Sequence, residues 1–170
     1  MRRSMVADRQ GTIMHKDIML HRPTGKDFLS FTLGGLEYGL DFGKVQELRV
    51  LKSLERFAEG REIVEGVAVS RGVIMPIVDM RAAFSGHPVA TTPTTDVIIL
   101  KLSTCVMGMV VDGVTDVVTL GAEQISPIPG ADGSAIDYLL GLGVTNGRRL
   151  ILVDIDRLMS INNGARRQVA

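Results

Sequence analysis

The segment GVAVSRGVIMPIVDMRAAF, from Gly66 to Phe84, is written a second time as GLGVTNGRRLILVDIDRLM, from Gly141 to Met159, at an offset of 75 residues. Five of the 19 aligned positions are identical: Gly66 with Gly141, Val69 with Val144, Gly72 with Gly147, Val78 with Val153 and Asp79 with Asp154. Ordinary residue frequencies would give about one or two by chance. A second gapless match sets FLSFTLGGLEYGLDFGKVQELRVL (28–51) against VIILKLSTCVMGMVVDGVTDVVTL (97–120), at an offset of 69. The two offsets differ by 6 residues, the length of a loop, so nearly everything after residue 27 is one unit written twice. A unit of about 65 residues, made of short apolar runs and glycine turns, leads to two small β-barrels packed together.

Period two is explicit inside the unit. Leu29, Phe31 and Leu33 alternate with Ser30 and Thr32; Leu36, Tyr38, Leu40 and Phe42 alternate with Glu37, Gly39 and Asp41. Gly34-Gly35 between the runs supplies the positive φ that a two-residue hairpin loop needs, so a β-hairpin is expected here. Helices are few and short. Asp79–Phe84 and Asp154–Ser160 each follow a strand, with an Asp placed to accept hydrogen bonds from the first free N–H groups. Residues 54–62 fit either a helical turn or a loop. Ser85–Asp96 (SGHPVATTPTTD) reads as the inter-unit linker, and roughly Gly121–Asp137 as a second long loop. Residues 1–26 show no sustained period and read as a flexible N-terminal extension; 161–170 form a C-terminal tail. The body of the protein is thus 27–160, with pseudo-repeated subdomains at about 28–84 and 97–159 and an exchange of strands possible between them.

Catalytic chemistry is scarce in this chain. His15 and His21 lie in the extension and His87 in the linker, so neither a metal site of three or four spaced ligands nor a Cys/His nucleophile has support. Cys105 opens an apolar run and reads as a buried thiol used as a small hydrophobe. Asp79 and Asp154 read as caps rather than an acid/base pair. With 19 basic residues against 19 acidic ones, two Tyr and no Trp, a nucleic-acid groove lacks both its charge and its stacking rings. No apolar run approaches the roughly 20 residues of a membrane span, and a cytoplasmic address is expected. What remains is action by contact, without cofactor or metal. In Lys44–Arg49, an extended chain would set Val45, Glu47 and Arg49 on one face, an apolar residue between opposite charges, as suits a polar-rimmed contact. Equally, Val45 could be core, as its match with Val114 suggests.

FLSFTLGGLEYGLDFGKVQELR, RGVIMPIVDMRAAF, VVDGVTDVVTLGAEQI and YLLGLG with RRLILVDIDRLM resemble, in order and spacing, the CheW family of chemotaxis coupling proteins. The resemblance covers about residues 27–160. It implies a mainly β fold of two intertwined, five-stranded, SH3-like barrel subdomains with a few short helices. It also implies a non-enzymatic adaptor that links the cytoplasmic tips of methyl-accepting chemoreceptors to the regulatory domain of the histidine kinase CheA, at membrane-associated arrays. An adaptor of the same fold serving twitching motility or second-messenger control is the alternative, and a small-barrel nucleic-acid binder a more distant one. The family's V-Q-E-I-R and N-[LM]-R-G segments fall on Val45-Gln46-Glu47-Leu48-Arg49 and Val69-Ser70-Arg71-Gly72, with Val69 in place of Asn. The resemblance therefore nominates Val45, Glu47, Leu48, Arg49, Arg71 and Gly72 as partner-binding residues. Arg71, where the second copy has Asn146, marks the specialised copy and is expected to reach Glu47. Val45 and Leu48 are the apolar candidates for a receptor hairpin, and the strand ends of both units for the kinase.

Overall fold

A computed structural model describes residues 24–53, 55–56, 66–87, 89–130 and 137–166. Most of the expected extension, much of 54–62, and part of the 121–137 loop lie outside them. The chain runs through β1 (Lys26–Leu33), β2 (Leu36–Asp41), a 3-10 turn at Phe42–Lys44, β3 (Val45–Val50), β4 (Glu55–Arg56), β5 (Gly66–Ser70) and β6 (Val73–Asp79) to the helix α1 (Met80–Ser85). It then repeats itself as β7 (Asp96–Lys101), β8 (Val106–Val111), β9 (Gly113–Leu120), β10 (Ile125–Ser126), β11 (Leu139–Thr145), β12 (Arg148–Val153) and α2 (Ile155–Arg166).

Among the described residues two six-stranded sheets result, ordered β10-β11-β12-β2-β1-β9 and β4-β5-β6-β8-β7-β3. Each holds five longer strands and a two-residue edge strand, and under the repeat the two orders are the same. Neither sheet is made by one half of the sequence. The hairpin β1–β2 joins β9–β12, while β7–β8 joins β3–β6, so the halves are intertwined. The registers repeat as well. Leu152 sits opposite Gly39 in the parallel β12–β2 pair, and Ile77 opposite Gly108 in the parallel β6–β8 pair. Both glycines are pressed from the neighbouring strand. A Cβ at Gly39 would lie 2.9 Å from Leu152 Cδ2, and one at Gly108 would lie 3.3 Å from Ile77 Cγ1.

Alternation along the strands divides the described apolar residues among three cores. Leu29, Phe31, Leu40, Ile98, Leu100, Met109 and Val153 form a central core contributed by both sheets, closed by Met80 and Ile155 of the helices. On their other faces the sheets enclose smaller cores: Phe28, Val118, Leu120, Leu150 and Leu152 in the first, and Ala68, Met75, Ile77, Val97, Ile99 and Val110 in the second. A sheet that buries both faces this way cannot be separated from its partner without exposing the central core.

The caps form as the residues dictate. Asp79 accepts hydrogen bonds from the backbone N–H of Arg81 and Ala82, and Gly86 at φ 74° ends α1 in the left-handed conformation. The second helix runs to Arg166, six residues beyond the expected end at Ser160 and through much of the supposed tail. Cys105 is exposed, not buried. It belongs to the turn between β7 and β8, where its carbonyl accepts from Leu102 N–H, and the buried run begins only after it.

One polar cluster ties that turn to α2. Asp156 accepts from the backbone N–H and the hydroxyl of Ser103, both at 2.8 Å, and its other oxygen lies 2.8 Å from Lys44 Nζ. The Lys44 ammonium, and then the Ser103 N–H, hold the Asp156 carboxyl down at about 2, from an ordinary 3.8. A carboxyl depressed by folding stabilises the fold above its ordinary pKa, and that stabilisation fades as pH falls through the folded value. Asp156→Asn should therefore be less stable than wild type at pH 7. The gap should close between about pH 4 and pH 2, as denaturation midpoints across that range will show.

Candidate functional site

The hairpin turn between β5 and β6 places Arg71 and Gly72 at φ 51° and 75°, both left-handed. A two-residue turn of the mirror-image type needs positive φ at both central positions to match the twist of its strands. The repeat makes the same turn with Asn146 at φ 47° and Gly147 at φ 76°. Asn accepts this region readily, because its short side chain can bond local backbone; Arg has no such compensation. A residue held in an unfavourable backbone region is a pointer to function.

The Arg71 side chain is 78% exposed and reaches back to β3, where its Nη2 lies 3.4 Å from Glu47 Oε1. Glu47 is 20% exposed and also accepts from Arg49 Nη1 at 3.2 Å. An exposed pair of this kind stabilises a fold by about 0–1 kcal/mol, so its main effect is to aim the turn. Arg71→Asn should leave thermal stability unchanged or raise it by up to about 1 kcal/mol, since it relieves a left-handed residue while losing a weak pair. A clear drop in melting temperature would show that Arg71 is a structural residue.

Of the two readings the sequence leaves open for Val45, a face shared with Glu47 and Arg49 or a place in the core, a β-bulge selects the core. The register slips between Val45, opposite Leu100, and Glu47, opposite Ile99. Val45 therefore turns to the central core and packs against it, half-buried. Leu48, opposite Ile98, lies on the same side of the sheet as Val45 and is 45% exposed. Glu47 and Arg49 face the other way, over the core of the second sheet. The six nominated residues thus separate into an apolar pair on one face of an edge strand and, across from it, a charged group with the Arg71-Gly72 turn.

Behind Glu47 and Arg71 lies a pocket of about 340 Å³ at the end of the second sheet, walled by Val73, Met75, Ile99 and Val106. None of these four residues was singled out from the sequence. The repeat itself carries the signal. The positions equivalent to Val73, Ile99, Val106 and Glu47 are Arg148, Ser30, Glu37 and Asp116, and at the end of the first sheet these make a polar plug. Arg148 donates to both oxygens of Asp116 at 2.8 and 2.9 Å, and it is paired with Glu37, which also accepts from Ser30 at 2.5 Å. The Arg148 guanidinium holds the carboxyls of both Glu37 and Asp116 below the ordinary carboxylate range, against the desolvation that raises them. One end is filled by the protein's own side chains; at the other, three of the four positions are apolar, Glu47 keeps the acid, and the space stays open as a pocket that Gln46 also lines.

Asp79 proves to be a cap and an ion-pair partner at once. The fork of Arg81 bonds both its oxygens, at 3.0 and 2.8 Å, with Arg81 only 6% exposed. Among the described residues, no group of three or more His, Cys, Asp and Glu is placed to hold a metal ion.

Twin intertwined β-sheets with the same strand order, built from one unit written twice, define the duplicated mainly-β class. The CheW-like domain matches residues 27–162. The chain is 48% identical over 137 residues to the chemotaxis protein CheW of Klebsiella aerogenes, covering 80% of this chain and 82% of that one. It is 27% identical over 133 residues to the chemotaxis protein CheW of Rhizobium meliloti, covering 78% and 86%. The crystal structure of the scaffolding protein TtCheW from Thermoanaerobacter tengcongensis superposes with a TM-score of 0.65 at 25% identity, over 77% of this chain and 90% of that one. This chain belongs to the CheW-like family.

Proposed function

We propose that the protein is a chemotaxis adaptor that couples the cytoplasmic tips of methyl-accepting chemoreceptors to the regulatory domain of the histidine kinase CheA, by contact and without turnover. The observation that carries this reading is the 48% identity, across four-fifths of both chains, to a chemotaxis protein CheW. The surface is consistent with it. A receptor tip is a helical hairpin and needs an apolar strip to lie on. Val45 and Leu48 offer one along the edge strand β3, beside the exposed Val50. Glu47, Arg49, Arg71 and Gly72 stand across the strand from it, where the turn can add polar specificity. The kinase is assigned to the strand ends of both units. An adaptor working in a cytoplasmic array needs only modest affinity at each contact, because avidity multiplies weak steps. No helix among the described residues is long and apolar enough to cross a membrane, in keeping with a protein brought to the membrane by its partners.

The test is reconstitution. The purified chain, CheA and a receptor cytoplasmic fragment should co-sediment, and kinase autophosphorylation should rise in the ternary mixture and fall when this chain is left out. A folded chain that binds neither CheA nor receptor would end the proposal. Glu47→Ala and Arg71→Ala, each folded and each binding both partners as wild type does, would remove the Glu47–Arg71 pair from the contact while leaving the adaptor role standing.

A further inference from the structure

We infer that the open end of the second sheet is a docking pocket for one apolar side chain of a protein partner, carried beside a carboxylate, and that it works independently of the Val45–Leu48 strip. The inference rests on the adaptor reading and adds to it a second site, walled by Val73, Met75, Ile99 and Val106 and rimmed by the Glu47–Arg71 pair.

Three observations converge on this pocket. The first is the comparison the protein makes with itself. Its two sheets have the same strand order, the same parallel pair and the same bulge, so equivalent positions face equivalent space. At the first end that space is occupied by Arg148, neutralised by Glu37 and Asp116. At the second end, Val73, Ile99 and Val106 replace the arginine, the serine and one carboxylate, and the space is left as a pocket of about 340 Å³. Apolar walls open to water favour an apolar guest and disfavour a polar one. The second observation is charge. Of the plug, only the acid at Asp116 has a counterpart, Glu47, and it is already engaged by Arg49 and Arg71. Arg71 holds Glu47 by one long contact and leaves most of its guanidinium in solvent, so the rim presents a net cationic fork to whatever enters. A fork of this kind favours a carboxylate, which it can grip with two bonds. The third is exposure. Val73 is 58% exposed at the lip of the pocket, on the strand that follows the strained turn. The guest is therefore a Leu, Ile, Met or Phe with an Asp or Glu close by. The Val45–Leu48 strip lies on the opposite face of β3, so the two sites need not compete.

The second unit also supplies the test. Val73→Arg rebuilds the plug, because position 73 is the repeat equivalent of Arg148 and the new cation would sit over Ile99 and beside Glu47. Receptor fragment and CheA regulatory domain are titrated separately against wild type, Val73→Arg and Leu48→Arg, with melting temperatures measured on all three. The expected result is at least a tenfold loss of affinity of Val73→Arg for one partner, affinity for the other within twofold, and the reverse selectivity for Leu48→Arg. Val73→Thr, nearly the same shape at an exposed site, gives a smaller loss toward the same partner and serves if Val73→Arg does not fold. The pocket is overturned if the folded Val73 variants bind both partners as wild type does, or weaken both alike. It is equally overturned if Val73→Arg and Leu48→Arg strike the same partner. None of these results touches the adaptor reading, which falls only if wild type binds neither partner.

Discussion

Arg81→Ala is expected to lose about 3 kcal/mol of stability, with an unchanged denaturant slope and a lower midpoint. Arg81 is 6% exposed and each of its three nitrogens is bonded: Nε and Nη2 to the two Asp79 oxygens, Nη1 to the Ala90 carbonyl at 3.1 Å and to the Thr95 hydroxyl at 3.2 Å. Removing one member of a buried ion pair typically destabilises by about 3–5 kcal/mol, because the other is left charged and under-solvated. Asp79 keeps some contact with water and the backbone bonds of its capping role, which places the expectation at the low end. The loss is also architectural. Ala90 and Thr95 lie in the connection between the two units, so Arg81 is what pins that connection to the start of α1. Arg81→Lys should recover little, since a single ammonium cannot replace four directed hydrogen bonds. A loss below about 1 kcal/mol for Arg81→Ala would mean that the connection holds itself in place.

Phe31→Ala should lose about 3–5 kcal/mol, the usual range for removing a buried ring. Phe31 is 1% exposed and stacks on Tyr38 with ring centroids 5.7 Å apart. The more telling expectation is the shape of the transition. The central core takes residues from both sheets, so neither sheet can unfold while the other keeps its buried face. Unfolding of the variant followed by far-ultraviolet circular dichroism and by a probe in either sheet should give one coincident curve. Two separated transitions would show that each sheet is stable alone, and that the intertwining of the halves contributes little to cooperativity.

Several features were legible in the residues because they depend on a few neighbours along the chain. The alternation around Gly34-Gly35 specifies a hairpin whatever surrounds it, and β1 and β2 form there. Asp79 caps α1 as the strand-then-Asp pattern implied. The repeat announced two equivalent sheets, and the pairing registers match position for position. The misreadings share a different cause. Cys105 was placed in the core because an apolar run follows it, but the strand starts one residue later and the thiol falls in the turn. For Val45 local spacing cannot choose between a face shared with Glu47 and the core, and one extra residue at the bulge turns it toward the core. The helix α2 outruns its expected end at Ser160 by six residues, while its repeat partner α1 stops at Ser85. The pocket was missed because its walls come from β6, β7 and β8, which the sequence keeps up to 33 residues apart. Only the comparison of Val73, Ile99 and Val106 with Arg148, Ser30 and Glu37 hinted at it.

By itself the sequence determined that this protein is one β unit made twice, with caps, turns and apolar faces in order, because period, glycine and N-cap chemistry act over a few residues. It also determined that one turn carries an arginine where its twin carries an asparagine. Tertiary structure alone decided that the hairpins trade places between halves, that a bulge splits the face of β3, and that one sheet end is plugged while the other is left open. Those outcomes depend on which distant side chains meet, and on whether a charge finds its partner there, and neither is written in local spacing.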